Sequence, residues 1–254
     1  MQRSLILGGT RGLGMEIARE SVKRSIQTMI VGRKIESNLL EMLAASEGAA
    51  VFTAADITKP GEMLHVFTSI PSTEFRYIFW VAGIFEQKPL GAMTFSEIDA
   101  MIGTHLVGPL KFLAQFRRLK DTSSPLANVP NGGPVHLVVI ASTSSWRLRT
   151  DETVYCALKA AKAAFARNFA RELGGAYPGS KVTLINPGGI KTTFFDRLEL
   201  ARDTSGYMEP AAVAHIVWEE VMRQSGLYEE VQVIRGEGGV PIVEYGPRLP
   251  EIPE

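Results

Sequence analysis

The sequence predicts an α/β fold in which helices flank one doubly wound parallel sheet of about seven strands. Apolar runs of strand length alternate with longer segments of helical period, and this alternation is typical of βαβ units. The strand segments are apolar without interruption, which indicates strands that are covered on both faces, as in a parallel sheet. At 254 residues an α/β chain often forms a single domain, and we expect one here.

The sequence pattern predicts seven strands and six helices. Strands are predicted at Ser4 to Leu7, Thr28 to Val31, Ala50 to Ala54, Tyr77 to Ala82, Val135 to Ala141, Lys181 to Ile185 and Glu230 to Ile234. Helices are predicted at Leu13 to Lys23, Ser37 to Ala45, Gly61 to Ser69, Phe95 to Leu119, Thr153 to Leu173 and Pro210 to Gln224.

Two of these helices carry further signals. The segment Phe95 to Leu119 is expected to break near Gly103 to Pro109, where glycine and proline interrupt the helical pattern. In the helix that begins at Thr153, apolar residues recur at three- and four-residue intervals, and Gly174 follows as a stop signal.

Composition indicates a soluble globular protein, with 45% apolar and 21% charged residues. Lys plus Arg equal Asp plus Glu at 27 each, so no global charge attracts nucleic acid or anionic lipid. The single cysteine, Cys156, excludes an intrachain disulfide and a cysteine-based zinc cluster, and four scattered histidines lack a metal-binding spacing. A cytoplasmic setting without a metal fits best, because no signal-peptide core and no bilayer-spanning stretch are present.

The domain is expected to occupy residues 1–240, and residues 241–254 are expected to form a proline-rich tail extended over the surface or over a partner subunit. The segment Asp121 to Pro134 is interpreted as a long loop rather than a linker. It leads from a helix into a strand, so it should lie opposite the strand carboxyl ends, where open α/β sheets bind ligands. A substrate lid is therefore not expected there.

A glycine-rich turn, Gly8 to Gly14, directly follows the first strand and opens the first helix, which is the context that gives a glycine motif its meaning. Gly8 permits a tight turn, Gly12 lets a pyrophosphate approach the backbone, and Gly14 lets the helix pack close to the sheet. The amino end of that helix stabilises phosphate charge. The turn predicts a Rossmann-type dinucleotide site, with a purely structural turn as the alternative.

The residues after the second strand bear on the choice of cofactor. Arg33 and Lys34 follow this strand at the place where an NAD-binding enzyme usually has an acidic side chain against the adenosine ribose. Arg33, with Arg11 from the glycine turn, would hold a 2′-phosphate through charge-assisted hydrogen bonds. For either arginine alone, a solvated surface residue is the better interpretation, but their joint placement favours NADP(H).

Tyr155 and Lys159 lie four residues apart and therefore on one face of the predicted helix. A free tyrosine has a pKa near ~10, and a nearby ammonium favours its phenolate form. Ser142 ends the preceding strand, so its hydroxyl lies at a strand carboxyl end within reach of a substrate oxygen. The alternative for Ser142 is a turn or cap residue in the run Ser142 to Ser145.

From Gln2 to about Ile234 the chain resembles the classical short-chain dehydrogenase/reductase (SDR) family. Six pieces occur in the family's order. They are the turn Gly8 to Gly14, Asp56-Ile57 after the third strand, Ala82-Gly83 after the fourth, Ser142, Tyr155 with Lys159, and Pro187 to Thr192.

The resemblance implies a role for each piece. Ser142 would orient the substrate carbonyl, Tyr155 would protonate its oxygen, and Lys159 would hold the nicotinamide ribose. Asp56 would bond the adenine amino group. The residues expected to contact NADP(H) are Gly8, Thr10, Arg11, Gly12, Leu13, Gly14, Arg33, Lys34, Asp56, Ile57, Ala82, Gly83, Tyr155, Lys159, Pro187, Gly188, Ile190 and Thr192.

Two departures from the family pattern stand out. Trp80 and Val81 replace two asparagines that commonly precede Ala82-Gly83, so the strand-to-neighbour hydrogen bonds must be supplied differently. His105 stands where the family has the asparagine of its proton relay. That asparagine works largely through its backbone carbonyl, which His105 would retain, and a direct catalytic role for the imidazole is a further hypothesis.

The sequence therefore predicts an NADP(H)-dependent oxidoreductase that acts on a carbonyl/alcohol pair. The alternative is an NADP(H)-binding redox sensor without turnover, suggested by Trp80, Val81 and His105. The resemblance implies a flap over the pocket at about residues 191–209, and the apolar and aromatic residues there suggest a hydrophobic substrate of modest size. By resemblance a homodimer or homotetramer is expected, with no nucleic-acid or membrane partner.

Overall fold

The structure is a computed structural model and describes residues 2–68, 75–120, 133–195 and 203–246. Its strands are β1 (Arg3–Leu7), β2 (Gln27–Gly32), β3 (Ala50–Ala54), β4 (Tyr77–Trp80), β5 (His136–Ile140), β6 (Lys181–Pro187), β7 (Tyr228–Arg235) and β8 (Pro241–Tyr245). They form one sheet in the order β3-β2-β1-β4-β5-β6-β7-β8. The first seven are parallel, as predicted.

Helices cover both faces of this sheet, which confirms the predicted fold class. They are α1 (Gly12–Lys23), α2 (Ser37–Ala45), α3 (Pro60–Thr68), α4 (Phe95–Ile102), α5 (Gly108–Lys120), α6 (Thr153–Ala176) and α7 (Pro210–Arg223). Side chains of α1, α2 and α7 pack on one face of the sheet, and side chains of α3, α5 and α6 pack on the other. Successive strand residues point to opposite faces, so each face of the sheet carries its own apolar core.

The prediction of about seven strands falls short by one. Pro241–Tyr245, expected to lie in an extended tail, pair instead with β7 as its antiparallel edge strand. Pro241 is the first residue of this strand, where a missing backbone N–H is tolerated. Residues 247–254 of the predicted tail lie outside the described residues.

The stop signal predicted at Gly174 is also wrong. Helix α6 continues through Gly174 and Gly175 to Ala176. A Cβ atom at Gly174 would lie 2.6 Å from Leu227 Cδ1, so this glycine serves the close packing of α6 against the chain before β7 rather than ending the helix.

The predicted break in the long helical segment is confirmed. A single π-helical turn, Gly103–Val107, separates α4 from α5. A Cβ at Gly108 would lie 2.3 Å from the carbonyl oxygen of Ile57, so the helix approaches the loop after β3 at this point. Such turns are often found at functional sites.

The strand order reverses between β1 and β4, and a crevice opens there at the carboxyl ends of the strands. Residues 121–132, most of the predicted long loop, lie outside the described residues, as do residues 196–202 of the predicted flap. The two ends of the flap are joined by a parallel bridge between Ile190 and Met208.

Candidate active site

A cleft occupies the crevice at the carboxyl ends of the strands. It brings together nearly all residues that the sequence predicts for the site. Those lining it are Gly8, Thr10, Arg11, Gly12, Leu13, Gly14, Arg33, Asp56, Ile57, Ala82, Gly83, Ser142, Tyr155, Lys159, Pro187, Gly188, Ile190 and Thr192. Lys34 and His105 do not line the cleft.

The glycine turn forms one end of the cleft. Gly8 has a φ of +90°, and a Cβ there would lie 2.7 Å from Ala82 Cα. A Cβ at Gly14 would lie 2.2 Å from the carbonyl oxygen of Gly8, so α1 begins directly against the turn. Helix α1 has no side-chain cap and no acidic residue in its first turn. Its first amides are therefore available to an anion, and the turn fits a dinucleotide phosphate.

Two arginines, Arg11 and Arg33, line the cleft near the glycine turn, together with Asp56. Arg11 Nη1 lies 4.0 Å from Glu36 Oε1, a long surface contact between half-exposed side chains that contributes little. Burial opposes the ionisation of Asp56, but hydrogen bonds from the amide and hydroxyl of Thr58, together with the charge of Arg33, lower its pKa. Both arginines thus flank the cleft beside an ionised carboxylate.

Ser142 follows β5, is buried and lines the cleft. Tyr155 and Lys159 line the cleft with it, and this end is called the catalytic end for the role that the sequence predicts for the three residues. The Oγ of Ser142 accepts a hydrogen bond of 3.1 Å from the amide of Ser144. Ser142 therefore caps the short turn, as the alternative interpretation of the sequence predicts. A hydroxyl that accepts one bond keeps its own hydrogen as a donor. Ser142 can therefore cap the turn and still donate to a ligand oxygen.

Tyr155 lies in the first turn of α6, and its ring is enclosed by three others. The ring centroids lie 4.8 Å from Phe85, 5.7 Å from His105 and 6.1 Å from Phe194. The Phe85 and His105 rings meet it edge to face, a favourable aromatic arrangement. This enclosure fixes the direction of the phenol and leaves only 8% of the residue exposed.

Lys159 lies one helical turn after Tyr155, as the spacing predicts. Its Nζ lies 5.4 Å from the centre of the Tyr155 ring and donates to the carbonyl oxygen of Ile140 at 3.4 Å. Burial lowers the pKa of Lys159 to about 7. Near neutral pH, the amine is therefore divided between its charged and neutral forms.

His105 is fully buried in the π-helical turn. Its Nε2 lies 2.6 Å from the carbonyl oxygen of Ile84 and 3.0 Å from the Ile84 amide. Burial, with the charges of Lys159 and Lys162, lowers its pKa well below the usual value, so the imidazole is neutral. These contacts favour a positioning role over direct proton transfer.

Sequence reasoning missed two residues at the catalytic end. Phe85 packs against Tyr155 and is buried, and Lys162 is fully buried beneath the cleft. The signal for Lys162 was its position three residues after Lys159, which puts both on one face of α6. The signal for Phe85 was its place two residues after Gly83.

The family model for short chain dehydrogenases matches residues 2–203 of the chain. An L-xylulose reductase of Caenorhabditis elegans is 26% identical over 194 residues, which are 75% of this chain and 72% of that protein. A hydroxynaphthalene reductase-like protein of Metarhizium anisopliae is 27% identical over 199 residues, covering 76% of this chain and 70% of that protein.

Solved structures share the fold at lower identity. A 3-ketoacyl-(acyl-carrier-protein) reductase from Brucella melitensis, complexed with NADH, superposes with a TM-score of 0.77 at 19% identity, covering 94% of this chain and 98% of that one. An alcohol dehydrogenase from Thermococcus sibiricus, complexed with 5-hydroxy-NADP, gives a TM-score of 0.73 at 22% identity, covering 92% and 96%. Within the described ranges, no helix combines the length and apolarity that crossing a membrane requires.

Proposed function

The chain belongs to the short-chain dehydrogenase family, and on that premise we propose that it interconverts a carbonyl compound and an alcohol with NADP(H), with Tyr155 as general acid and base. The observation that carries this proposal is the convergence of Ser142, Tyr155 and Lys159 at one end of a cleft whose other end is the glycine turn. A redox sensor without turnover has no need of all three, and the named relatives, a reductase and a reductase-like protein, do not favour it.

Ser142, Tyr155 and Lys159 each have a separate role in the proposed reduction. A nicotinamide cofactor, when bound, supplies the hydride for the substrate carbon. The Ser142 hydroxyl donates a hydrogen bond that orients the substrate oxygen, and the Tyr155 phenol transfers its proton to that oxygen. The positive charge of Lys159 stabilises the phenolate that remains. In alcohol oxidation the same groups act in reverse.

NADP(H) is proposed over NAD(H) because Arg11 and Arg33 line the adenosine end of the cleft. Two guanidinium groups there match the charge and geometry of a 2′-phosphate. Structural neighbours do not decide the matter, since one was solved with an NADP derivative and another with NADH.

The proposed substrate is small, uncharged and apolar. Lys159 is the single charged side chain at the catalytic end among the residues that line the cleft, and Tyr155 and Phe194 form aromatic walls there. Such a surface favours a planar hydrophobic ketone over a polyhydroxylated sugar. Of the two named relatives, the hydroxynaphthalene reductase-like protein is closer to this chemistry.

We also propose that the protein works in the cytoplasm as a homodimer or homotetramer. Support comes from the small residues Ala157, Ala160 and Ala164, which lie on accessible parts of α6 and would let the helix of a second copy approach closely.

The proposed reaction is tested with NADPH deuterated at both C4 positions and a panel of aromatic ketones, quinones, aldehydes and ketoses. We expect deuterium at the carbinol carbon of at least one product, with aromatic ketones reduced fastest. A heated sample of the protein is the control. Tight binding of NADPH with no product from any panel member would favour the sensor instead.

A further inference from the structure

The side chain of Lys162 is fully buried, although lysine is rarely buried without partners. Its Nζ donates to two backbone carbonyl oxygens, that of Ala82 at 3.0 Å and that of Ile140 at 3.3 Å. The ring of Trp80 lies on the remaining side, with its centroid 4.8 Å from Nζ. These contacts offset the cost of removing the amine from water.

The two carbonyls belong to different halves of the site. Ala82 belongs to the loop after β4, which lines the cleft together with Gly83. Ile140 is the last residue of β5 and lies two residues before Ser142. The register between β4 and β5 ends at the pair Trp80 and Val139. Lys162 therefore joins the two chain segments just beyond the end of their ladder.

The two hydrogen bonds of Lys162, called the Lys162 tie below, show how the chain compensates for Trp80 and Val81, which replace two asparagines common in the family. In place of the polar residues expected before Ala82, the strand ends in an indole whose Nε1 has no hydrogen-bond partner among the described residues. The link between the loop and its neighbouring strand comes instead from α6, through Lys162.

The Lys162 tie also bears on Lys159, because both amines donate to the same Ile140 oxygen, at 3.3 Å and 3.4 Å. Burial lowers the pKa of Lys162 well below its usual value, and the charge of Lys159 lowers it further. Two further titratable groups face this pair, the neutral His105 and the phenol of Tyr155, whose ring centre lies 5.4 Å from Lys159 Nζ.

We propose that Lys162 is a positioning residue, whose amine ties the Ala82 and Ile140 carbonyls and so holds Lys159 and Ser142 in register with the cofactor-binding loop. The inference rests on the proposed function. The side chain of Lys162 joins Ala82 and Ile140, which lie 58 positions apart along the chain.

The test compares Lys162→Met, which removes both donors and keeps an unbranched side chain, with Lys162→Gln, whose amide retains two N–H donors. Lys23→Met, an exposed lysine at the far end of α1, is the matched control. For each variant we measure kcat, KM for the ketone, the Kd of NADPH and the melting temperature, with kinetics well below melting. Displacement of catalytic groups by about 1 Å costs up to about 100-fold in rate.

We expect Lys162→Met to lower kcat at least about tenfold with KM changed less than about threefold, and to weaken NADPH binding about fivefold. Lys162→Gln should recover most of both losses, and Lys23→Met should match the parent. Unchanged kcat in a folded Lys162→Met protein, or equal losses in both variants, overturns the proposal. If Lys162→Met does not fold, Lys162→Gln serves as the test. A kcat and an NADPH Kd close to those of the parent support the proposal, and loss of both overturns it. If the parent reduces no ketone, the proposed reaction is wrong. The role of Lys162 is then tested by the Kd of NADPH alone, which should still rise in Lys162→Met.

Discussion

The proposed preference for NADP(H) over NAD(H) depends on two arginine side chains. The sequence places Arg33 where an acid would be expected, and the structure brings it and Arg11 to one end of the cleft. Both are partly or largely exposed, so their contribution depends on a bound phosphate and not on their present contacts. Lys34, predicted alongside them, does not line the cleft.

Replacing both arginines by alanine should therefore reverse the cofactor preference. We expect the Kd of NADPH to rise at least about tenfold, since each charge-assisted hydrogen bond contributes about 1.5–3 kcal/mol, while the Kd of NADH stays within about twofold. Fluorescence titration of both cofactors checks this, with Arg171→Ala on α6 as the matched control. Equal affinity of the parent for the two cofactors would refute the assignment.

At the scale of elements, one buried imidazole joins three of them. His136 in β5 lies 2.6 Å from Thr183 Oγ1 in β6 and 3.2 Å from Gln224 Oε1 at the end of α7. Burial lowers its pKa to about 3, with the charges of Lys181 and Arg76 acting in the same direction. The ordinary histidine value is about 6.5, so the unfolded chain binds this proton more readily than the folded one.

This difference sets the sign of a pH effect on stability. Because the folded pKa is below the unfolded one, stability contributed by neutral His136 is lost as pH falls below about 6.5 toward 3. Between pH 6.5 and 5.0 protonation of this residue in the unfolded chain should lower the free energy of unfolding by about 1–2 kcal/mol. His136→Gln should remove that share of the pH dependence in urea unfolding. The exposed His65→Gln should keep it, and an unchanged slope in His136→Gln would contradict the account.

Elements that form because of local sequence patterns can be predicted from the sequence, whereas elements that depend on contacts between distant residues cannot. The seven parallel strands and the break at Gly103–Val107 follow from local patterns, and the structure has them. The edge strand β8 was missed because prolines around it suggest a tail, while its pairing with β7 is decided by contacts that no local pattern carries. The extension of α6 past Gly174 has the same origin, since Leu227 approaches from elsewhere in the chain.

For the whole molecule, the fold explains why motifs far apart in sequence form one site. Parallel strands present their carboxyl ends at one edge, so ordered motifs after successive strands predict a common cleft. Sequence could not show which buried side chains support that cleft from below. Local spacing places Lys162 on the helix face of Lys159, and Phe85 soon after Gly83, but it does not show their partners. Lys162 bonds to a carbonyl 80 residues away, and Phe85 packs on a ring 70 residues away.

The measurement that tests the account most directly is the turnover of Tyr155→Phe with its NADPH affinity determined on the same preparation. The ring contacts with Phe85 and Phe194 need no hydroxyl, so we expect NADPH to bind within about twofold of the parent. Loss of the proton donor should lower kcat by about 10²–10⁴-fold. A variant that binds NADPH and still reduces the ketone at the parent's rate would contradict the assignment of Tyr155 as general acid.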